Sequence, residues 1–450
     1  MKKVIALLLC VLMLASIAAG CAKQAPETPA APTASATDAP TTDEEVTLKV
    51  YTHRTDREQD GSYAKYIAAF NEKYPNIKID LVGIDDYAGE MQVLIAAENY
   101  GDVFFIPDSI ASADFSYYLE PFGTLDELKA EGYNESYLTA KYSPSTNTVY
   151  GLTYMAAVSG ILYNTRVWKE AGITTMPTSR EEFIEDLKLI KEKTDAIPLY
   201  TCANEGWTLT QYEPHMESAA VGNADYAKNL EWKDKGIFAK GGSHYNNYEM
   251  LFNIVAAGLI EDDPSTANWE QSKYDLAEGK IATYVLGSWA INQFKEKAVE
   301  LGIADEIGYM PFPQTVDGVC YASSSCDYCY GISKFSEHKA EARAFIDFML
   351  KESGMCAAEG GFSVVKDHPV PAGFDAFSNA VMLIDNPTAV ENEGKKDEVM
   401  AESGIDLWND NGERLAKVIE FGISNDRAGF DSYMEELSTR WAAAVDKIAG

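Results

Sequence analysis

Between Val46 and Ile106 the apolar residues switch period four times, and that switching restricts this stretch to one class of architecture. Val46, Leu48 and Val50 alternate with Thr47, Lys49 and Tyr51, the two-residue period of a strand. Tyr63, Tyr66, Ile67, Phe70 and Tyr74 then recur at helical spacing, and Pro75 stops the helix. Ile77, Ile79 and Leu81 alternate again, Met91, Leu94 and Ile95 mark a second helix, and Val103 to Ile106 is an unbroken apolar run. Such a run suits a parallel strand covered on both faces. Strand–helix–strand–helix–strand predicts a doubly wound α/β unit.

A second unit begins near Gly160. Ile161-Leu162-Tyr163 reads as a strand, and Thr178-Ser179-Arg180-Glu181 as a capping box opening a helix buried along Phe183, Leu187 and Ile190. Ile197 to Tyr200 reads as a short strand, helical patterns dominate to about residue 280, and Ile281 to Leu286 is extended. Ala340, Ala344, Phe345, Phe348 and Met349 form a further buried helical face, and helices fit Arg414–Phe421 and Tyr433–Ile448. The roughly 405 residues after position 45 exceed what one hydrophobic core usually supports, so two lobes are expected.

The residues before that point read as an export device. Lys2 and Lys3 precede the apolar run Val4–Ile17, which is too short for a comfortable membrane span. Ala18-Ala19-Gly20 then meets Cys21, an order that resembles the bacterial lipobox, with Ala18 where Leu is usual. The resemblance implies cleavage before Cys21 and a diacylglycerol on its thiol. Residues 22–45, rich in Pro, Ala, Thr and acids, cannot offset their ordering entropy and read as a disordered tether. The formal net charge of −33 argues against nucleic acid and anionic lipid as partners. It otherwise serves solubility.

Five cysteines remain beyond the signal and Cys21: Cys202, Cys320, Cys326, Cys329 and Cys356. Cys326-Asp-Tyr-Cys329 has CxxC spacing, but there is no second pair for zinc and no thioredoxin-like frame for redox work. Structural thiols, a local disulfide and a metal site stay open as readings, and no metal or cofactor is expected.

Several segments, in order, resemble the bacterial extracellular solute-binding proteins that include maltose-binding protein. They are FNEKYPNIKIDLV (Phe70–Val82), GDVFFI (Gly101–Ile106, with Gly where the family usually has Pro), YGLTYMAAVSGILYNTRVWKEAGI (Tyr150–Ile173), AEGKIATYVLGSWA (Ala277–Ala290), IGYMPFP (Ile307–Pro313) and YGISKFSEHKAEARAFIDFML (Tyr330–Leu350). The resemblance implies a two-lobed periplasmic-binding-protein fold, type II-like, with a ligand cleft between two doubly wound α/β lobes. It implies the sugar-capturing, non-enzymatic subunit of an ABC importer, a monomer held on the extracytoplasmic face of a Gram-positive-type membrane only through Cys21, with the ABC permease as partner. The expected organisation is signal 1–20, tether 21–45, first lobe 46–154, second lobe 155–307, first lobe again 308–355, and second lobe with C-terminal helices 356–450. Crossings fall at Tyr154–Val158, at Ile307–Pro311 and near Met355.

A neutral sugar needs planar polar groups for its hydroxyls and aromatic rings for its C–H faces. Candidates therefore lie on loops after strands, since ligands of open α/β sheets sit beyond the carboxyl ends. Trp289 follows the strand ending at Leu286, and the corresponding Trp in sugar-binding relatives stacks on ligand. Trp207 and Glu205 follow Tyr200; His53, Arg54 and Asp56 follow the first strand; Asp85 and Tyr87 follow the second; Asp108 and Ser109 follow the third. Asp327 and Tyr328 stand in SSSCDYC, where relatives have a Gly-rich loop. Phe362, beside Gly360 and Gly361, and Trp408 match cleft positions of relatives. Met155-Ala156-Ala157-Val158 lacks the carboxylate that some relatives carry on the first crossing strand. Each candidate also reads as a core ring, a solvated turn or a helix cap. A polyamine or an organic anion is the alternative ligand, with Arg54 as the donor an anion would need. A carboxylate-pair glycosidase is the alternative activity; the chain has no GxSxG, HExxH, P-loop or Rossmann fingerprint.

Overall fold

The structure, a computed structural model, describes residues 44–450 except Val370 and Asn409. The export signal, Cys21 and nearly all of the tether lie outside the described residues.

The strands that position the site are β1 (Val46–Thr52), β2 (Ile77–Gly83), β3 (Val103–Phe105), β4 (Leu152–Thr153), β5 (Ala156–Asn164), β6 (Thr283–Gly287), β7 (Ile307–Met310), β8 (Cys320–Cys326), β9 (Cys329–Ile332) and β10 (Ala380–Leu383). The principal helices are α1 (Thr55–Gln59), α2 (Ser62–Lys73), α3 (Tyr87–Ala96), α4 (Arg180–Lys193), α5 (Ser243–Ala256), α6 (Trp269–Glu278), α7 (Ile291–Leu301), α8 (Lys339–Lys351), α9 (Lys395–Ser403), α10 (Glu413–Ile423) and α11 (Arg427–Ala449).

The first sheet runs β2-β1-β3-β9-β4. β1 pairs in parallel with β2 and β3, as the alternating and continuous apolar runs predict, while β9 is antiparallel to β3 and β4. All three residues of β3 are buried, because α2, α3 and α8 cover the sheet with Phe70, Met91 and Phe345. The second sheet runs β10-β8-β5-β6, with β7 also on β5. Around β5 the pairing is antiparallel, and residues 197–200 lie parallel to β6 through isolated bridges only. Pro198 has no N–H to give a ladder, which breaks the short strand expected there.

Local signals act where expected. Ser179, one residue later than the box read from sequence, caps α4 by accepting from the Glu182 N–H, and the Glu182 carboxylate returns to the Thr178 N–H at 2.7 Å. Phe183, Leu187 and Ile190 form the buried face of α4. α10 and α11 complete the second core with Val418, Phe430 and Trp441, whose indole N–H donates to the Asp234 carbonyl at 2.8 Å.

One hydrophobic core gathers residues of 46–156 and 329–364, and two adjoining cores gather residues of 158–323 together with the C-terminal helices. The chain passes from the first to the second within Met155–Val158. The return differs from expectation. Ile307–Met310 pairs with β5 in the second sheet, and β8 stays there through Cys326, so the chain re-enters the first lobe at Asp327–Cys329 and not at 307–311. The alternation in IGYMPFP marks a strand, but period alone does not say which sheet the strand joins. The last passage also lies later than Met355, which is buried in the first core with Cys356 and Val364; it falls between Val365 and Phe377.

The five described cysteines are free. Cys326 closes β8 opposite Ala156 in the second sheet, and Cys329 opens β9 opposite Thr153 in the first. Both side chains pack against the first core. The CxxC is thus the segment by which the chain passes from one sheet to the other, with both thiols unbonded. Among the described residues no His, Cys, Asp or Glu group is arranged to hold a metal, and no helix is long and apolar enough to cross a membrane.

Candidate functional site

The exits of β1, β2 and β3 point to one end of the first sheet. Because β9 is antiparallel to β3, its entrance lies at that same end, and this brings His53, Asp85, Asp108 and Ser109 together with Asp327 and Tyr328. His53 is the centre of an aromatic nest. Its ring lies 4.3 Å from Tyr328, 4.7 Å edge-on from Phe105, 5.7 Å from Tyr87 and 6.1 Å from Tyr154. Burial, helped by the Arg54 charge, lowers its pKa to about 3, so the ring is neutral at physiological pH. The Tyr154 hydroxyl donates to Asp327 Oδ2 at 2.9 Å and the Tyr328 N–H to Oδ1 at 2.7 Å. Burial raises the Asp327 pKa above the usual range, against those two hydrogen bonds. Tyr87 has a structural task, exchanging hydrogen bonds with the Phe105 backbone at 2.8 and 2.9 Å.

The second lobe contributes a tryptophan wall. Trp289 stands on the turn after β6, 5.9 Å from both Trp207 and Trp269, which are 4.9 Å apart edge to face. Gly287 permits this placement, since a Cβ there would meet the Trp289 indole nitrogen at 2.4 Å. The turn that launches Glu205 and Trp207 is held by Glu261, whose carboxylate accepts from the Thr201 N–H at 2.9 Å, the Thr201 hydroxyl at 2.7 Å and the Cys202 N–H at 2.9 Å. Those bonds keep Cys202 at φ 51°, a left-handed conformation that a residue with a Cβ adopts at some cost. Trp289 and Phe362 pack against both the first core and the second, so they sit where the lobes meet. Phe362 is fixed by reciprocal backbone bonds with Ala156 at 2.7 and 2.8 Å.

Other candidates have different surroundings. Arg54 is buried and paired, with Asp56 at 2.7 and 2.8 Å and Glu359 at 2.8 Å, and its charge acts on His53 and Asp327. Asp108 is exposed and paired with Lys141 at 2.7 Å. Asp85 and Ser109 are exposed, and Glu205 is half-buried. Trp408 is 46% exposed, under the Lys396 ammonium at 4.8 Å, with no ring contact to the tryptophan wall. Two members of the site, Tyr154 and Trp269, were not among the sequence candidates. Tyr154 opens an apolar crossing segment; Trp269 opens α6 behind the Asn268 cap, and a bulky ring at an N-terminal helical position is the signal that marks it.

A second buried histidine carries a prediction. His215 stacks on Phe312 at 3.9 Å, neither ring nitrogen has a hydrogen-bond partner, and burial lowers its pKa to about 3. In the unfolded chain it titrates near 6.5, so the unfolded state binds more protons between those values. The stability this neutral ring permits is therefore complete above pH ~6.5 and lost as pH falls towards 3. Asp186 and Asp385, raised by burial to about 6, act oppositely, so the test must isolate His215. His215→Phe is expected to gain about 2 kcal/mol relative to wild type between pH 7.5 and pH 5 in urea unfolding. A difference that stays flat with pH would contradict the assignment.

Known proteins resemble the chain over most of its length. The family model for bacterial extracellular solute-binding proteins matches residues 55–355. The BlMnBP1 binding protein of an ABC transporter from Bifidobacterium animalis subsp. lactis, solved in complex with mannobiose, is 33% identical with a TM-score of 0.84, over 90% of this chain and 96% of that one. The manno-oligosaccharide specific BlMnBP2 of the same organism, solved with mannotriose, is 30% identical with a TM-score of 0.82 over the same shares. The multiple sugar-binding protein of Streptococcus mutans is 25% identical over 70% of this chain and 73% of its own length.

Proposed function

The chain belongs to the bacterial extracellular solute-binding protein family, and from that premise we propose that it captures a short manno-oligosaccharide between its lobes and delivers it to an ABC permease. The observation that carries this is the meeting of two chemically different walls. His53, Tyr154, Asp327 and Tyr328 supply neutral and carboxylate hydrogen-bonding groups from one lobe, and Trp207, Trp269 and Trp289 supply apolar faces from the other. A saccharide offers both hydroxyls and C–H faces, so it satisfies both walls at once. The relatives solved with mannobiose and mannotriose support the sugar class.

An organic anion fits less well, because Arg54 is already held by Asp56 and Glu359. The action is capture by lobe closure with no covalent step. Lipid on Cys21 and the acidic tether would keep a monomer at the extracytoplasmic membrane face near its permease.

A thermal-shift series on the purified protein with mannobiose, mannotriose, maltotriose, spermidine and citrate tests the reading. At ~100 times its dissociation constant a ligand adds roughly 2.7 kcal/mol and raises the melting temperature by a few degrees. Mannotriose is expected to produce that rise, and spermidine and citrate none. A rise with citrate or spermidine alone would keep the fold and overturn the substrate.

A further inference from the structure

On one flank of the cleft the lobes are joined by charge. Arg57, on α1 of the first lobe, is buried although it is a guanidinium. Its Nε donates to Glu359 at 2.8 Å and its Nη1 to Asp60 at 3.0 Å, both within the first lobe. Nη2, which also reaches Glu359 Oε2 at 3.4 Å, and Nη1 donate to the two carboxylate oxygens of Glu296 as well, at 3.1 and 3.3 Å. Glu296 lies on α7, whose Ile291, Phe294 and Ala298 are buried in the second lobe. One turn earlier on the same helix face, the Asn292 amide donates to the Ala358 carbonyl of the first lobe at 2.9 Å. α7 begins directly after the turn that carries Trp289.

We propose that Arg57 and Glu296 form a closure latch, made when the lobes shut, which positions Trp289 over the ligand without touching the ligand itself. Glu359 keeps the latch cocked: with its side chain 2% exposed and bonded to Arg57 Nε, it fixes the guanidinium plane so that the outer edge presents two donors to an incoming carboxylate. The Glu296 side chain is 47% exposed, so it can leave the contact and be solvated when the lobes part. A paired arginine edge and a helix rigidly linked to a binding ring couple closure to ligand contact, and the pair also draws part of the ligand-free population shut. The latch therefore acts mainly on the dissociation rate.

The test rests partly on the oligosaccharide reading and is built so that the two can fail separately. Glu296→Gln removes the charge at an exposed position, and Glu185→Gln on α4 removes a carboxylate paired only with Lys188 as the control. For mannotriose, a neutral probe, Glu296→Gln is expected to raise the dissociation rate about three- to fivefold at ~0.02 M salt, the difference shrinking towards unity at ~1 M. The control should match wild type at both. Small-angle scattering of the ligand-free proteins at low salt forms the second arm, with a larger radius of gyration in Glu296→Gln expected. A rate change that shrinks with salt, or a larger radius of gyration, confined to Glu296→Gln supports the latch. If mannotriose binds none of the proteins, the sugar reading fails and scattering alone decides. Equal dissociation rates and equal scattering, or a rate change that persists undiminished at high salt, overturn the latch.

Discussion

Trp289→Ala is expected to weaken mannotriose binding about 30- to 100-fold, the largest loss from any single change in the cleft. The ring packs against both cores and against Trp207 and Trp269, so it is the group with most to lose from water when the lobes shut on a ligand. Central aromatic anchors of this kind carry roughly 2 kcal/mol or more of binding free energy. Trp289→Phe keeps an apolar face and should recover most of the affinity. Trp408→Ala is the contrasting variant: that ring is 46% exposed and lies under Lys396, and its loss should change affinity by no more than about threefold. Calorimetric titration measures all three, and circular dichroism confirms that each variant is folded. A Trp289→Ala protein that titrates like wild type would contradict the cleft assignment.

The largest effect on stability is expected at Glu359, which no local pattern singles out. Its buried carboxylate accepts from Arg54 at 2.8 Å and from Arg57 at 2.8 Å. Glu359→Ala leaves two buried guanidinium groups without their shared partner, a change that costs about 3–5 kcal/mol where a buried pair is broken from one side. Glu359→Gln keeps one acceptor oxygen and should cost less. Asp56→Ala, at a side chain 43% exposed, should cost under about 1 kcal/mol. Urea unfolding should return that order. A shift for Glu359→Ala below that of Asp56→Ala would mean that the two arginines find other partners.

These two residues also mark how far the sequence could be read. Periodicity placed β1, α2, β2, α3 and β3 because each is decided within its own window of chain: a strand that must cover one face, a helix stopped at Pro75, a central strand covered on both. From that order the exits of β1 to β3 followed, and with them His53 as a candidate; Trp207 and Trp289 were candidates because they follow later extended runs, Trp289 also through the family resemblance. What failed was anything set by a distant partner. Arg54 was a candidate ligand donor, and its pairing with Glu359, 305 residues away, leaves no local signal. Ile307–Met310 was recognisable as a strand, yet its place on β5 depends on Ile161–Asn164, so the return crossing was placed too early. The CxxC offered disulfide and metal readings because spacing alone does not show that its first Cys ends a strand of one sheet and its second starts a strand of the other, both thiols free. Tyr154 was passed over because a tyrosine in an apolar crossing segment looks like core until the carboxylate it bonds, Asp327, is known to cross beside it.

The central claim is that a saccharide is held where the two lobes meet, and the measurement that tests it most directly is a crystal structure of the protein grown with mannotriose. The account predicts sugar between the exits of β1, β3 and β6, with a ring face on Trp289 and hydroxyls within hydrogen-bonding distance of His53 or Asp327. Sugar bound away from Trp289, or a cleft that stays empty at saturating mannotriose, would contradict it.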